Sequence, residues 1–473
     1  MKRQLLIGVA LSFIVGMFAG CSGTGTGSTS GGKTPGNNAA GAENVFSNLD
    51  LSNGIQISSE ETEIVCTLSL IELGGDKVLD DLAKAYPTIK VKIEPMMNGD
   101  TKLLSMIAAG NGPDLIRVGG FDELPSMVNR GLLAPLDDVI AASGKVDLSD
   151  LMPINDLFRF DGKERGQGPL YGVVKDWSID NNIWINKEVF ESAGEPIPSD
   201  TEPMTYTEFA RLAQKLMKKN GDSVERFGVI TYLPVVTLTE AMLASQGHSL
   251  WKDDYTSSNM KEQYVVDALN YWADLQKSGA LASTLYPTND QNGIGSLKEG
   301  KTAMVIGGYW LSQGFNDLSD AESENFMMLP APVAEGGEQV NASLVATGLG
   351  IFSQTQHPME AYAVWEYLML SEEAISHRIQ GGWGIPPINS MVDDLLSETP
   401  LQKQALELTK RQIPTVSMKP RVNPYLLYTG LTTEFDKYYN LFLYDEMTLE
   451  QALDTIDKDI GYLIEEGMEM AAG

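Results

Sequence analysis

Cysteine and histidine are both scarce in this chain. Of its 473 residues, two are cysteine and three are histidine. Two cysteines cannot build a disulfide framework, and His248, His357 and His377 lie far apart without the spacing of zinc ligands. The sequence therefore predicts no disulfide, no metal site and no cofactor.

Positive charge is also in short supply. Lysine and arginine number 34 against 64 aspartates and glutamates, a formal net charge of −30. Such an acidic surface repels a phosphate backbone, so nucleic acid is not an expected partner. No basic cluster is visible that would hold a phosphorylated or polycarboxylate ligand. A neutral polar ligand fits this composition better.

Long hydrophobic runs are confined to the N-terminus. Met1-Lys2-Arg3 precedes an apolar run that ends in Phe18-Ala19-Gly20-Cys21. The run is too short to span a bilayer comfortably, which is typical of a signal peptide over residues 1–20. Because small residues lead directly into Cys21, the junction resembles a lipoprotein signal. It predicts lipidation of Cys21 and anchorage on the outer face of the cell membrane. An ordinary secretory signal with a chance cysteine is the alternative.

Residues 21–60 are rich in Gly, Ser, Thr and Asn and poor in aromatic residues. Such a segment cannot bury enough apolar surface to offset the entropy of ordering it, which predicts a flexible tether. About 410 residues follow, more than one hydrophobic core usually organises, so two lobes are expected. The lone Cys66 lies in a strand-like run and is expected to be a small buried hydrophobe.

Strand-like and helical patterns alternate after the tether, and the C-terminal third is mostly helical. The first predicted elements are a strand at 63–70, a helix at 77–86, a strand at 88–96, a helix at 102–109 and a strand at 113–118. This alternation predicts mixed β-sheets with helices on both faces. Ligands of such sheets lie beyond the carboxyl ends of the strands, so the loops at 72–75, 97–100 and 119–122 are predicted to face a cleft.

A series of short motifs occurs in a fixed order along the chain. They lie at 86–91 (YPTIKV), 107–115 (IAAGNGPDL), 131–137 (GLLAPLD), 171–172 (YG), 185–190 (INKEVF), 227–228 (FG), 299–304 (EGKTAM), 308–310 (GYW) and 381–387 (GGWGIPP). Their order resembles the extracellular solute-binding proteins of ABC transporters, specifically the carbohydrate-type family that includes maltose-binding protein. The resemblance covers most of the chain after the tether.

The resemblance implies a two-lobe α/β fold of the type II periplasmic-binding-protein class, hinge-linked. Lobe 1 would comprise 61–172 and 303–348, and lobe 2 would comprise 173–302 and 349–473, with crossing segments near Val173, Ala303 and Gly348. It also implies a monomer without enzymatic activity. By hinge closure it would capture a sugar or oligosaccharide and deliver it to a membrane permease. A charged loop at 156–169 departs from the family pattern and is placed beside the cleft.

Sugar recognition requires flat aromatic faces for the C–H faces of the ring and planar polar groups for the hydroxyls. Trp310 and Trp383 have glycine neighbours in irregular segments and are predicted to contact the ligand, whereas Trp177 is balanced between ligand contact and core. The predicted polar contacts lie on loops or in an irregular stretch: Glu72, Asn98, Asp122, Asp180 and Arg421.

Two other classes of function remain open from the sequence. A surface-anchored glycoside hydrolase would need two carboxylates at a set separation, and no such pair stands out. A binding protein for another solute, such as a polyamine or a peptide, is compatible with the acidic charge.

Overall fold

The computed structural model of this chain describes residues 45–96, 101–145, 147–162, 164–290, 292–340, 344–382, 384–394, 399–415 and 423–472. Within these residues, none of the helices combines the length and the apolar character needed to cross a membrane. The predicted signal peptide and Cys21 lie outside the described residues.

Strands and helices alternate through the first two thirds of the described chain. The strands are β1 (Thr62–Cys66), β2 (Ile89–Ile93), β3 (Leu115–Val118), β4 (Arg159–Phe160), β5 (Arg165–Leu170), β6 (Val173–Ile179), β7 (Ile183–Asn186), β8 (Lys218–Asn220), β9 (Ser223–Thr231), β10 (Thr302–Ile306), β11 (Phe326–Leu329) and β12 (Leu344–Ile351). The helices are α1 (Lys77–Ala85), α2 (Thr101–Ala108), α3 (Gly120–Asn129), α4 (Asp137–Ser143), α5 (Lys187–Ser192), α6 (Tyr206–Leu216), α7 (Val235–Ser245), α8 (Gln263–Ser278), α9 (Ile294–Lys298), α10 (Asp320–Ser323), α11 (Pro358–Leu370), α12 (Glu372–Gln380), α13 (Pro400–Gln412), α14 (Tyr428–Leu443) and α15 (Leu449–Ala472).

Local sequence explains several helix ends. Thr399 precedes α13 and forms a capping box with Gln402, in which each side chain bonds the other residue's backbone N–H. Ser319 and Glu322 do the same for α10. Gly144 and Gly279 end α4 and α8 in the left-handed conformation, which glycine adopts without steric cost.

The first sheet has the strand order β2-β1-β3-β12-β6. β1 runs parallel to β2 and β3, and β12 runs antiparallel to β3 and β6. The carboxyl ends of β1, β2, β3 and β6 therefore lie along one edge of the sheet. Helices α1 and α11 pack on this sheet, and α12 packs on both of these helices.

The second sheet has the strand order β11-β7-β10-β9-β8. β10 is parallel to β9 and antiparallel to β7, and Ile306 pairs with both Thr231 and Ile183. From Met304 to Ile306, the residues of β10 alternate between two hydrophobic cores, with Met304 and Ile306 in one and Val305 in the other. Both faces of the sheet are covered, as the period-two alternation of strand side chains requires.

Between the elements that the structure describes, the chain passes from one sheet to the other three times, and two of these crossings start or end at the carboxyl edges. Residues 180–182 join β6 to β7, residues 330–343 join β11 to β12, and the segment between α12 and α13 makes the third crossing. The positions differ from those predicted near Val173, Ala303 and Gly348. β6 pairs with β12 throughout and belongs to the first sheet, whereas β10 is enclosed by β7 and β9 in the second.

Residues 45–58, here called the strap, also differ from the prediction, because they pack on the folded body instead of forming part of a tether. Phe46 is 1% exposed and meets Tyr362 of α11 edge to face, with ring centroids 6.4 Å apart. The backbone N–H of Ser58 donates to Glu360 Oε1 over 2.9 Å, and the Thr88 hydroxyl donates to the Ser58 carbonyl over 3.2 Å. The strap is thus bound to elements of the first sheet.

Cys66 at the end of β1 is buried and free, which confirms its expected role as a small buried hydrophobe. Burial raises the pKa of its thiol to about 12. The thiol is therefore protonated and unreactive at neutral pH.

Candidate ligand-binding site

The carboxyl edges of the two sheets are joined by the segment 180–182. Asn182 braces it, since its side-chain amide donates to Gln412 Oε1 over 2.9 Å and its Oδ1 accepts from the Ala331 backbone N–H over 3.1 Å. Its carbonyl accepts from the Gly307 backbone N–H over 2.9 Å. In open α/β sheets, ligands bind beyond the carboxyl ends of the strands. This junction is therefore the candidate site.

Three side chains at the junction form a unit that we call the aromatic corner: Asp180, Tyr232 and Trp310. Tyr232 follows β9 and Trp310 lies in a short 3-10 helix (Tyr309–Phe315) after β10. Their ring centroids are 5.4 Å apart and the planes are inclined by 76°. Tyr232 is 37% exposed, and Trp310 is half-buried. Two aromatic rings at a steep angle thus stand at the carboxyl edge of the second sheet.

Asp180 lies beneath these rings and is fully buried. Its Oδ2 accepts from Trp310 Nε1 over 3.2 Å and from the Tyr232 hydroxyl, and its Oδ1 accepts from the Ser178 hydroxyl. Hydrogen bonds to an ionised acceptor are stronger than those between neutral groups. The carboxylate therefore fixes the polar ends of both rings.

Gly308 permits the close approach of the strands that carry these groups. A Cβ at this position would overlap both Asp180 Oδ1 and Ser178 Oγ. The Gly308 carbonyl in turn accepts from Trp184 Nε1 over 3.1 Å, and Trp184 stacks on Phe315 with ring centroids 5.2 Å apart. A buried indole thus holds the segment that leads to Trp310.

Five ionisable side chains at the carboxyl edge of the first sheet form the second part of the site. We call them the charged group: Glu72, Arg117, Lys175, Asp176 and Arg378. Arg117 Nε donates to Glu72 Oε1 over 2.8 Å, and the Ser69 hydroxyl donates to Glu72 Oε2 over 2.8 Å. Lys175 donates to Asp176. Asp176 and Asp180 are four residues apart on β6 and its continuation, so the two parts of the site are about 13 Å apart.

Burial and charge act in opposite directions on these groups. Burial raises the pKa of Glu72, but Arg117 and Lys175 outweigh it and hold that pKa below its usual value. Burial lowers the pKa of Lys175, and Asp176 and Glu72 oppose that shift. Burial lowers the pKa of Arg378 to about 10. Arg378 donates to the Leu368 and Met369 carbonyls at the end of α11, where a cation also complements the helix dipole.

The structure brings three of the sequence-predicted site residues to the junction: Glu72, Asp180 and Trp310. Trp177 is 2% exposed and belongs to the first core, so the structure favours the core role over ligand contact. Trp383, Asn98 and Arg421 lie outside the described residues, as does the side chain of Asp122 in the first turn of α3.

The neighbours of Trp383 do lie close to the site. A Cβ on Gly384 would lie 2.5 Å from the Cβ of Asp176, and one on Gly382 would lie 3.2 Å from the Cβ of Gln313. The backbone of Ile385 pairs with that of Trp177. The chain on both sides of residue 383 thus runs between β6 and the 3-10 helix that carries Trp310.

Sequence reasoning missed Tyr232, Ser178, Arg117 and Lys175. A signal for Tyr232 was present, since this aromatic residue lies two residues before Pro234, and proline interrupts a strand. Ser178 could have been found from its position two residues before Asp180, because alternate strand residues share a face. Nothing local marked Arg117 or Lys175, since Glu72, which interacts electrostatically with both, is distant in sequence.

The charged loop predicted beside the cleft at 156–169 is a 3-10 helix (Pro153–Phe158) followed by the β4–β5 hairpin. Arg165 of the hairpin is buried. Burial raises the pKa of Tyr255, which lies between α7 and α8, and the charge of Arg165 opposes that shift. Within the described part of the chain, no cluster of three or more His, Cys, Asp or Glu side chains could hold a metal ion.

Comparison with known proteins places this architecture among binding proteins. An uncharacterized ABC transporter extracellular-binding protein of Pyrococcus horikoshii is 28% identical over 274 residues, which make up 55% of this chain. The match spans 58% of the length of that relative, somewhat less than two thirds.

Two solved structures share the fold. An ABC substrate-binding protein of Listeria monocytogenes in complex with cycloalternan superposes with a TM-score of 0.71 at 22% identity, covering 86% of this chain and 100% of that chain. A solute-binding protein of Thermotoga lettingae bound to α-D-tagatose has a TM-score of 0.66 at 19% identity, covering 86% of this chain and 100% of that chain. These likenesses confirm the predicted two-lobe α/β fold.

The family of bacterial extracellular solute-binding proteins matches residues 73–375, which include the second sheet, every strand of the first sheet except β1, and the whole aromatic corner. This match confirms the resemblance seen in the order of the sequence motifs. The chain belongs to the bacterial extracellular solute-binding protein family.

Proposed function

We propose that this protein is the solute-binding component of an ABC importer, and that it captures a neutral sugar or oligosaccharide between its two sheets. The observation that carries this proposal is the aromatic corner at the facing carboxyl edges. Indole and phenol rings offer flat faces with which the C–H groups of a pyranose ring pack favourably. The ring of Tyr232 is exposed enough to be reached from outside.

The charges of the described site support a neutral ligand. The described site contains equal numbers of acidic and basic side chains. The acidic ones are Glu72, Asp176 and Asp180, and the basic ones are Arg117, Lys175 and Arg378. Glu72 is paired with Arg117 and Asp176 with Lys175, and buried charges that are already paired lose these interactions when a charged ligand competes for them. A polyamine would need an excess of carboxylates, which these six residues do not provide.

The structural neighbours support the sugar class. The Listeria monocytogenes protein holds cycloalternan and the Thermotoga lettingae protein holds α-D-tagatose. Binding would draw the two sheets together about the crossing segments, because the ligand touches both edges only in the closed form. The closed form is the state that the permease would recognise, and no bond would be made or broken.

We propose further that the protein works as a monomer on the outer face of the cell membrane, held by a lipid on Cys21. The support is the junction Phe18-Ala19-Gly20-Cys21 and the membership of an extracellular family. Mass spectrometry of the N-terminal peptide from membranes of the native host tests the lipid anchor directly. A mature chain that begins elsewhere, or an unmodified Cys21, would contradict it.

The test of ligand class is a thermal-shift and calorimetry screen with cycloalternan, α-D-tagatose, maltotriose, spermidine and a tripeptide. A ligand bound only by the folded state raises the melting temperature. At least one saccharide should do so, and Trp310→Ala should weaken its binding by about tenfold or more. Tyr462→Ala, an exposed aromatic truncation on α15, is the matched control and should bind normally.

Stabilisation by spermidine or the tripeptide with none by the saccharides would overturn the sugar assignment. Release of reducing ends from maltotriose would instead favour a glycoside hydrolase. Unchanged affinity in Trp310→Ala, with a saccharide that does bind, would remove the aromatic corner from the site.

A further inference from the structure

We infer that Asp180 is a positioning residue, which acts on the ligand through Tyr232 and Trp310 and does not contact it. This inference rests on the proposed function and gives one residue of that site a specific role. The sequence alone had assigned Asp180 to direct ligand contact. Its position in the structure favours the indirect role for three reasons.

The first reason is access. Asp180 is 0% exposed, whereas both rings above it retain exposed surface. A ligand that approaches the carboxyl edge of the second sheet meets the rings before it can reach the carboxylate.

The second reason is that both carboxylate oxygens already accept hydrogen bonds from the protein. Oδ2 accepts from the Tyr232 hydroxyl and from Trp310 Nε1, and Oδ1 accepts from the Ser178 hydroxyl. A direct bond to a sugar hydroxyl would have to displace one of these charge-assisted donors.

The third reason is topology. Tyr232 and Trp310 follow the neighbouring parallel strands β9 and β10, whose last residues Thr231 and Ile306 pair in register. The sheet therefore places both aromatic residues at one edge, but it does not set the rotation of their rings. A shared acceptor from the crossing segment sets both rotations at once. Rings that are ordered before binding spare the ligand the entropy of ordering them, about 0.5–1.5 kcal/mol for each side chain.

The two possible roles make opposite predictions for Asp180→Asn. An asparagine keeps the shape and one carbonyl oxygen that can accept from both rings, while its amide can donate to the Ser178 hydroxyl. It removes the negative charge. A positioning role should survive this change, whereas a role that depends on a charged bond to the ligand should not.

The experiment compares Asp180→Asn and Asp180→Ala with wild type in two measurements. Calorimetry uses the saccharide that stabilises the wild type most in the screen described above. The second measurement is ¹⁹F NMR of ligand-free protein labelled with 5-fluorotryptophan, in which Trp310→Phe assigns the Trp310 resonance. Glu202→Gln, an exposed carboxylate removed in the same way, is the control for loss of charge.

We expect Asp180→Asn to bind the saccharide with an affinity within about threefold of wild type and to leave the Trp310 resonance unmoved. We expect Asp180→Ala to weaken the affinity by about tenfold or more and to shift or broaden that resonance. If Asp180→Ala does not fold, Tyr232→Phe removes one donor without a cavity, and it should weaken binding about threefold to tenfold. The inference is overturned if Asp180→Asn loses as much affinity as Asp180→Ala while the resonance is unmoved. It is also overturned if Tyr232→Phe binds the saccharide with the same affinity as wild type. A Trp310 resonance that is unchanged in Asp180→Ala would overturn it as well. Should no saccharide bind the wild type, the proposed function fails, and the ligand-free resonance still decides the positioning role.

Discussion

Replacement of Gly308 by alanine should both destabilise the protein and weaken ligand binding. The added Cβ would overlap Asp180 Oδ1 and Ser178 Oγ, which are hydrogen-bonded to each other. The backbone at Gly308 has φ −84°, which any residue adopts, so the effect is steric and not conformational. Trp184 Nε1 donates to the Gly308 carbonyl over 3.1 Å, so the backbone cannot move away without breaking this hydrogen bond.

The magnitude follows from these contacts. Overpacking of a tight site costs about 1–3 kcal/mol, and loss of the Ser178 hydrogen bond to Asp180 adds about 1 kcal/mol. The free energy of unfolding should therefore fall by about 2–4 kcal/mol. Since the same displacement moves the acceptor of both rings, affinity should fall by about tenfold or more.

Urea denaturation followed by tryptophan fluorescence measures the first effect, and isothermal titration calorimetry measures the second. Gly461→Ala is the matched control, because Gly461 lies within α15 and a Cβ there meets nothing within 4 Å. That change should stabilise the protein by about 0.5–1 kcal/mol through helix propensity and leave affinity unchanged. If Gly308→Ala matched the wild type in both measurements, the close packing described at the junction would be refuted.

Three further predictions concern the first sheet. Phe46→Ala should lower stability by about 3 kcal/mol and speed amide exchange across 45–58 while leaving affinity unchanged; normal protection of the strap in this variant would contradict its docking through Phe46. Glu72 has a lowered pKa in the folded protein, so its interaction with Arg117 contributes stability above its ordinary pKa of 4.5 and loses it as pH falls through the lowered value. Glu72→Gln should therefore show a smaller acid-induced loss of melting temperature than wild type, and equal losses would count against the ion pair. In a chain that begins at residue 22, Cys66 should react with a thiol reagent at pH 8 only when urea unfolds the protein, and rapid reaction without urea would contradict its burial.

The sequence predicted local elements well, because their signals are local. The helix predicted over 77–86 is observed as Lys77–Ala85, and the one predicted over 102–109 is observed as Thr101–Ala108. The positions of the crossings were not predictable in the same way. Whether β10 belongs to one sheet or the other depends on its pairing with β7 and β9, and strand pairing is a long-range property that no local pattern contains.

The tether prediction failed over residues 45–58 because it averaged composition across the whole segment. Val45, Phe46, Leu49, Leu51, Ile55 and Ile57 all pack on the first core. Their spacing follows no single helix or strand period, so a periodicity argument does not detect them. Only the surface of α11 and its neighbours gives them a place to be buried.

The candidate site was predictable in part for a comparable reason. Trp310 and Asp180 were found because the chain breaks into irregular segments beside them. Trp177 was ambiguous, since its neighbours in the sequence do not reveal that it lies within β6 and is buried in the first core. Glu72 comes close to Arg117 and Lys175 because of the order of the strands in the first sheet, and no short stretch of sequence contains that information.

The strap fixes the place where the N-terminal part of the chain joins the folded body. That place is beside α11, on elements of the first sheet, and its described contacts involve none of the second sheet. A force applied to the N-terminus therefore acts on the half of the molecule that contains the first sheet. In the closure proposed above, the other half would move about the three crossings without this load, so fastening the protein at its N-terminus would not hinder the capture of a ligand.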